Sequence, residues 1–204
     1  LKKDKDKPVL SRSDFLVMSE LGKDIGILKE SEQKIIKNLL RFNRILIKDV
    51  MTPRIVVVAE DDSTTIKEFH SRNSELPFSR IPVYQDSNDK VTGYVLKDKI
   101  LLNLVDGKGD EKLKSLRRDI IVSHSSTPIP DLLDKFITEK EHIALVVDEY
   151  GGMEGIVTME DIIETLLGIE IVDELDNNED MRALARKNWE LRARKMGLLP
   201  TDDM

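Results

Sequence analysis

The stretch 93–104 reads GYVLKDKILLNL, and 155–166 reads GIVTMEDIIETL. Each is a glycine, a short apolar strand and a charged helix start, and the second stands 62 positions after the first. Set from Arg80 against His142, the register runs without gaps. It pairs Ile81 with Ile143, Asp86 with Asp148, Gly93 with Gly155, Val95 with Val157, Ile100 with Ile162 and Leu104 with Leu166. Upstream it slips: Phe69 matches Phe136 at a spacing of 67, because HSRNSELPFSR carries five extra residues. A register this long, preceded by the same element order, marks an internal duplication. Each copy has the order β-α-β-β-α over about 60 residues, which is small for an independent core. Two copies packed sheet against sheet bury the apolar faces that neither buries alone. The expected fold class is α/β (α+β): two β-α-β-β-α repeats packed as a pair, with flanking N- and C-terminal helices.

Local patterns place the elements. Residues 12–43 read as helix, with Ile35, Ile36, Leu39 and Leu40 at helical spacing and Ser31 as N-cap. Pro53 turns Thr52 away from helical angles and ends that run. IVVVA at 55–59 is β-branched and reads as a strand. A helix restarts at Ser63. RIPVYQD and VTGYVL are strands about the turn SND, and KDKILLNLV is a helix. The charged stretch 106–119, with two glycines, reads as the linker. Then the order recurs: strand IIVSH, helix TPIPDLLDKFITEKE, strand HIALVVDE, turn YGG, strand MEGIVT and helix MEDIIETLLG. The expected boundaries are 1–45 for the leading helices, 46–107 and 108–172 for the two repeats, and 173–204 for an acidic linker and a basic C-terminal helix.

Composition excludes several chemistries. No cysteine is present, so disulfides and thiolate metal sites are out. The three histidines, His70, His124 and His142, have no zinc-site spacing. A net charge of −7 argues against a general nucleic-acid binder. No stretch approaches the roughly 20 apolar residues of a membrane helix, and no signal peptide is visible. The chain starts at Leu1 rather than Met and reads as a piece of a longer protein. No nucleophile–base–orienter set, P-loop or metal triad is present, so no enzyme is expected. Charge is uneven: 13 acidic residues and no Lys or Arg lie between Glu141 and Asp180, while 1–55 holds 13 basic and 8 acidic residues.

Only the second copy carries Thr158 and Asp161; the first has Leu96 and Lys99 there. Two readings stand. In one, Thr158 and Asp161 form a capping box at a helix start, where an acid also suits the helix dipole. In the other, the carboxylate accepts both hydroxyls of a ribose, the Thr hydroxyl joins from the strand end, and a phosphate lies near helix N–H groups. The difference between the copies points to one equipped cleft and one unequipped. Thr52 offers a hydroxyl at a strand entrance, and Pro82 stiffens the strand beside Arg80 and spares an edge hydrogen bond. Arg80 offers several donors to phosphate or ribose oxygens. With a Mg²⁺ ion it would offset the repulsion of ATP by the acidic run.

The element order, together with VMTPR at 50–54, RIPV at 80–83 and GIVTMEDIIE at 155–164, resembles a tandem pair of CBS domains, a Bateman module. DEYGGMEGIVTMEDIIE at 148–164 resembles in particular the cytosolic part of the CNNM/CorC (hemolysin-like) magnesium-transporter family. The resemblance covers 30–172, and it is the combination of motifs that is specific. It implies a disc-like homodimer of CBS pairs with adenine nucleotide, commonly ATP with Mg²⁺ held through its phosphates, between the repeats. Carried over by motif, Thr52 contacts the nucleotide, Arg80 and Ile81 line the adenosine or phosphate side, Thr158 and Asp161 hold the ribose, and Ile156 and Val157 pack near the base. Leu96 and Lys99 depart from the pattern, which implies one nucleotide per chain. The resemblance further implies a transmembrane domain of the same protein as partner, a place at the cytoplasmic face of the membrane, and no nucleic acid. The basic excess of 1–55 fits such a flank. The alternative is a dimerisation scaffold with no bound nucleotide. In the tail, Met181, Leu184, Ala185, Asn188 and Leu191 give a partial helical stripe among arginines and lysines. It reads as a helix that docks on the acidic half or lies on a membrane surface. DELD at 173–176 reads as a solvated linker rather than a Mg²⁺ site.

Overall fold

Why a chain of two small repeats holds together is seen in what each repeat lends the other. The computed structural model describes residues 11–168; the lysine-rich start, the DELD stretch and the basic C-terminal pattern lie outside the described residues. The leading region is two helices, α1 (Arg12–Asp24) and α2 (Glu30–Arg41), not the single helix read from 12–43. Gly26 adopts φ +78°, and the N–H groups of Ile27 and Leu28 both return to the Gly22 carbonyl, which closes the first helix. The second starts two residues before Ser31: Lys29 is the N-cap, and its N–H donates to the Glu32 carboxylate at 2.8 Å.

The first repeat comprises β2 (Glu60–Asp61), α4 (Ile66–Asn73), β3 (Arg80–Tyr84), β4 (Val91–Leu96) and α5 (Lys97–Val105). Preceding it are α3 (Ile47–Val50) and β1 (Thr52–Pro53). The second repeat comprises β5 (Ile121–His124), α6 (Ile129–Glu139), β6 (Ile143–Val147), β7 (Met153–Thr158) and α7 (Met159–Leu167). One sheet has the order β2-β3-β4 and the other β1-β7-β6-β5. In both, the first strand of the repeat is parallel to the second and the last two are antiparallel. β2 registers only with Val83 and Tyr84, so the Pro82 nitrogen lies outside that ladder, and the missing N–H costs nothing.

The helix of the first repeat begins at Thr65 rather than Ser63. Thr65 and Glu68 form the capping box, while Ser63 N–H is held by the Asp61 carboxylate at 2.7 Å. The β-branched run 55–59 forms no strand. β1 stops at Pro53, Arg54–Val56 is a turn of 3₁₀ helix, and Val57 packs instead among Leu145, Val147 and Met153. A strand needs a ladder partner, and at this edge of β7 only Thr52 and Pro53 find one.

The stretch 106–119 is not a free linker. Leu113 is fully buried beside Ile66, Phe69, Ile81 and Ile100, and Leu116 packs on that cluster. The main chain there is tied to the first repeat: Ile66 N–H donates to Glu111 O, Leu113 N–H to Thr64 O and Lys114 N–H to Asp62 O, each at 2.9 Å. The segment before the first repeat does the same to the second. Ile129 N–H donates to Ile45 O, Ile47 N–H to Thr127 O and Lys48 N–H to Ser125 O, at 2.9–3.0 Å. Phe42, Ile47 and Val50 complete the core of Leu132, Phe136, Val157 and Ile162. Each repeat is therefore finished by the segment that leads into the other.

The exchange continues at the sheet edges. Thr52 lies opposite Ile156 on β7, and Arg118 lies opposite Tyr94 on β4. A Cβ on Gly155 would stand 2.2 Å from the Thr52 carbonyl oxygen, and one on Gly93 2.2 Å from that of Arg118. These two matched glycines exist because a crossing backbone leaves no room for a side chain.

Candidate functional site

Thr158 ends β7 and is the N-cap of α7. Its Oγ1 donates to Asp161 Oδ2 at 2.7 Å and accepts from the Asp161 N–H at 3.3 Å, while its own N–H reaches the same Oδ2 at 2.7 Å. The capping box is thus complete. The equivalent helix α5 starts at Leu96 with no side-chain cap, and Lys99 is exposed. The asymmetry between the copies is real at the level of hydrogen bonds.

Strand alternation sorts the other residues. Ile156 and Thr158 share one face of β7, opposite Leu145 and Ile143. Thr52 joins them as the neighbour of Ile156. Ile156 also packs on the layer between the two sheets, formed by Leu145, Val147 and Met153. Val157 points the other way and is fully buried among Leu132, Phe136 and Ile162. Ile81 is likewise turned into the core of its own repeat with Phe69 and Ile100. The structure therefore brings Thr52, Ile156, Thr158 and Asp161 together, and turns the side chains of Ile81 and Val157 into the two helix-side cores.

Arg80 opens β3 opposite Leu96 and is half-buried. Its charge reaches Glu141, just before β6, which places it at the boundary between repeats. Glu141 itself is engaged: its carboxylate accepts from the Tyr94 hydroxyl and from Arg118 Nη2, the latter at 2.9 Å. The Arg118 guanidinium also lies over the Tyr94 ring, 5.8 Å from its centroid. Burial pushes the Glu141 carboxyl up, but the hydrogen bonds from Tyr94 and Arg118, with the charges of Arg118 and Arg80, hold it below the usual carboxylate value. Burial, then the bond to Glu141, raises the Tyr94 phenol above its ordinary value. Tyr94, Arg118 and Glu141 did not emerge as site residues from the sequence. The repeat alignment held a signal, since it sets Tyr94 against Ile156 and Glu141 against Ser79.

Among the described residues no group of three His, Asp or Glu is placed to hold a metal ion, and no helix is long and apolar enough to cross a membrane.

The sequence comparisons bear directly on this arrangement. The family model for the CBS domain matches twice, at 47–106 and at 113–168. The chain belongs to the CBS-domain family. It is a tandem pair of the CNNM/CorC, hemolysin-like type. A solved structure of the CBS domain of the bacterial CNNM/CorC family Mg²⁺ transporter is 28% identical with a TM-score of 0.75, covering 81% of this chain and all of that one. A second, of such a domain in complex with ATP, is 29% identical with a TM-score of 0.65, covering 68% of this chain and 98% of that one. Among curated relatives, a UPF0053 protein of Synechocystis is 30% identical over 95% of this chain and 56% of its own length. A possible hemolysin C of Rickettsia bellii is 36% identical over 81% of this chain and 55% of its own. The chain thus spans about half the length of these two relatives.

Proposed function

We propose that this CBS pair is a regulatory module that binds an adenine nucleotide, as Mg–ATP, in the cleft between its repeats, and controls a divalent-cation transport domain. That domain would be membrane-embedded and part of the same full-length protein. The pair would act as a homodimer at the cytoplasmic face, and without catalysis. One observation carries the reading: at matched positions, the second copy has Thr158 and Asp161 beside the crossing strand of Thr52, and the first has Leu96 and Lys99.

The residues present suit the ligand. A carboxylate accepts up to about four hydrogen bonds, so a helix cap and a ribose contact are compatible at Asp161. The Thr158 hydroxyl stands at the strand end beside it, and Ile156 supplies an apolar wall for a base. Thr52 contributes from the sheet edge. Arg80, at the boundary between repeats, is suited to phosphate oxygens. Mg²⁺ would be held through those phosphates and would offset the acidic charge of the second half. Ile81 and Val157 would shape the cleft through their backbone. A solved relative with bound ATP supports this choice of ligand.

The complete capping box favours one other reading, a dimerisation scaffold in which Thr158 and Asp161 only start α7. Calorimetric titration of ATP, with and without Mg²⁺, separates the two. Expected is Mg²⁺-dependent binding near one per chain, reduced at least tenfold in Asp161→Ala. Removing the cap costs about 1 kcal/mol of stability, so Asp161→Asn serves as a second variant, with no charge but a retained acceptor oxygen. No heat at millimolar ATP leaves the scaffold.

A further inference from the structure

The internal duplication gives the molecule two matched sets of residues, and so a counterpart to the proposed cleft. In the proposed cleft, Thr52 lies at the sheet edge, Ile156 beside it on β7, Thr158 and Asp161 at the helix start, and Ser79 ahead of β3. The matching residues of its counterpart, the second cleft, are Arg118 at the edge, Tyr94 beside it on β4, Leu96 and Lys99 at the helix start, and Glu141 ahead of β6. Three of these five are joined to one another. Tyr94 and Arg118 both donate to Glu141, and the Arg118 guanidinium lies over the Tyr94 ring. The tie runs from the sheet edge, where a base would sit, to the strand start, where a phosphate would sit. Tyr94 is 2% exposed, so the ring is an inner wall and not a surface group.

We infer that Tyr94, Arg118 and Glu141 fill the second cleft as a built-in substitute for ligand, and exclude a nucleotide from it independently of Leu96 and Lys99. This rests on the adenine-nucleotide reading of the first cleft. The chemistry of the cluster imitates that of a bound nucleotide. The Tyr94 ring supplies a flat apolar body, the Glu141 carboxylate supplies an anion, and Arg118 supplies the cation that offsets it. Entry of a real nucleotide would break two charge-assisted hydrogen bonds and bring triphosphate against the Glu141 carboxylate, a like-charge contact. The cluster also ties the repeats together, since Tyr94 belongs to the first and Glu141 to the second. Its Glu141 end feels Arg80, a phosphate-binding residue in the proposed first cleft.

The test rebuilds the second cleft in the image of the first, using the full chain and Mg–ATP as probe. Leu96→Thr with Lys99→Asp supplies the missing ribose pair but leaves the cluster intact. Tyr94→Ile, Arg118→Thr and Glu141→Ser, added to it, remove the whole cluster by substituting the matched residues of the proposed first cleft. Both sets are titrated in the native background and with Asp161→Ala. Expected is one nucleotide per chain for the first set and two for the combined set. With Asp161→Ala, the expected values are none and one. If the first set alone reaches two, the cluster excludes nothing and the inference fails. It also fails if the combined set stays at one while its thermal transition and first-cleft binding are retained. A native chain that takes no Mg–ATP would sink the underlying reading, and this one with it. A separate check needs no nucleotide: of the three tyrosines, one should ionise late by ultraviolet absorbance, and Glu141→Gln should bring it earlier. Three unperturbed tyrosines would mean that the cluster does not form.

Discussion

Single side chains distinguish the two matched sites: Thr158 and Asp161 at one, Leu96, Lys99 and the Tyr94–Arg118–Glu141 cluster at the other. Glu141 is the clearest case, because its state can be read without any ligand. Its carboxyl titrates below the ordinary value of 4.5 in the folded chain. A depressed folded value means that the native state favours the charged form. The stability gained is present above the ordinary value and is lost as pH falls through the folded one. Glu141→Gln removes that pH-dependent part and keeps the shape. Denaturant unfolding between pH 7 and pH 3 should therefore show the native chain ahead at neutral pH, with the gap closing below about pH 4.5. A gap independent of pH would mean that the hydrogen bonds matter and the charge does not. Thr158 and Asp161 were legible from the sequence because they lie three residues apart and form a local motif. Glu141 was not, because Tyr94 lies 47 residues away from it and Arg118 lies 23 away. No spacing rule reports a cluster assembled by folding.

At the scale of elements the sequence reads well wherever a pattern is periodic. The buried strand IALVV, the helices α6 and α7 and the β3–β4 hairpin stand where apolar periodicity and turn residues put them. Some misread boundaries are local, as at Gly26, which splits 12–43 into two helices; the larger failures are at exchanged segments. The run 55–59 has the right residues for a strand but no partner strand, and 106–119 looks like a linker because its surface is charged. What the charge conceals is Leu113, which enters the core of the first repeat with Leu116 three residues on. Two apolar residues among charged ones are too few to form a stripe, so periodicity gives no warning. The consequence is measurable. Leu113→Ala should cost about 2–5 kcal/mol in urea unfolding, as for a buried core leucine. A loss under 1 kcal/mol would make 106–119 the connecting tether that its composition suggests.

On the scale of the whole molecule, the reciprocal loans make the duplication necessary. Without 111–116 the first repeat loses Leu113 and Leu116 and the backbone partners of Ile66 and Asp62. Without 42–50 the second loses Phe42, Ile47 and Val50 and the partners of Ser125, Thr127 and Ile129. Between them, Val57 and Val91 of the first half pack on Leu145, Val147 and Met153 of the second. A nucleotide held across the first cleft would act on this shared framework, and its effect on the arrangement of the repeats cannot exceed its differential affinity for the arrangements. The framework itself should unfold as one unit. Native-state amide exchange at Phe69, in the first core, and at Phe136, in the second, should report the same opening free energy. Leu113→Ala, although it touches only the first core, should lower protection at Phe136 as much as at Phe69. Protection lost at Phe69 alone would show two repeats that fold independently, and the exchanged segments would then be contacts of convenience and not the reason for the repeat.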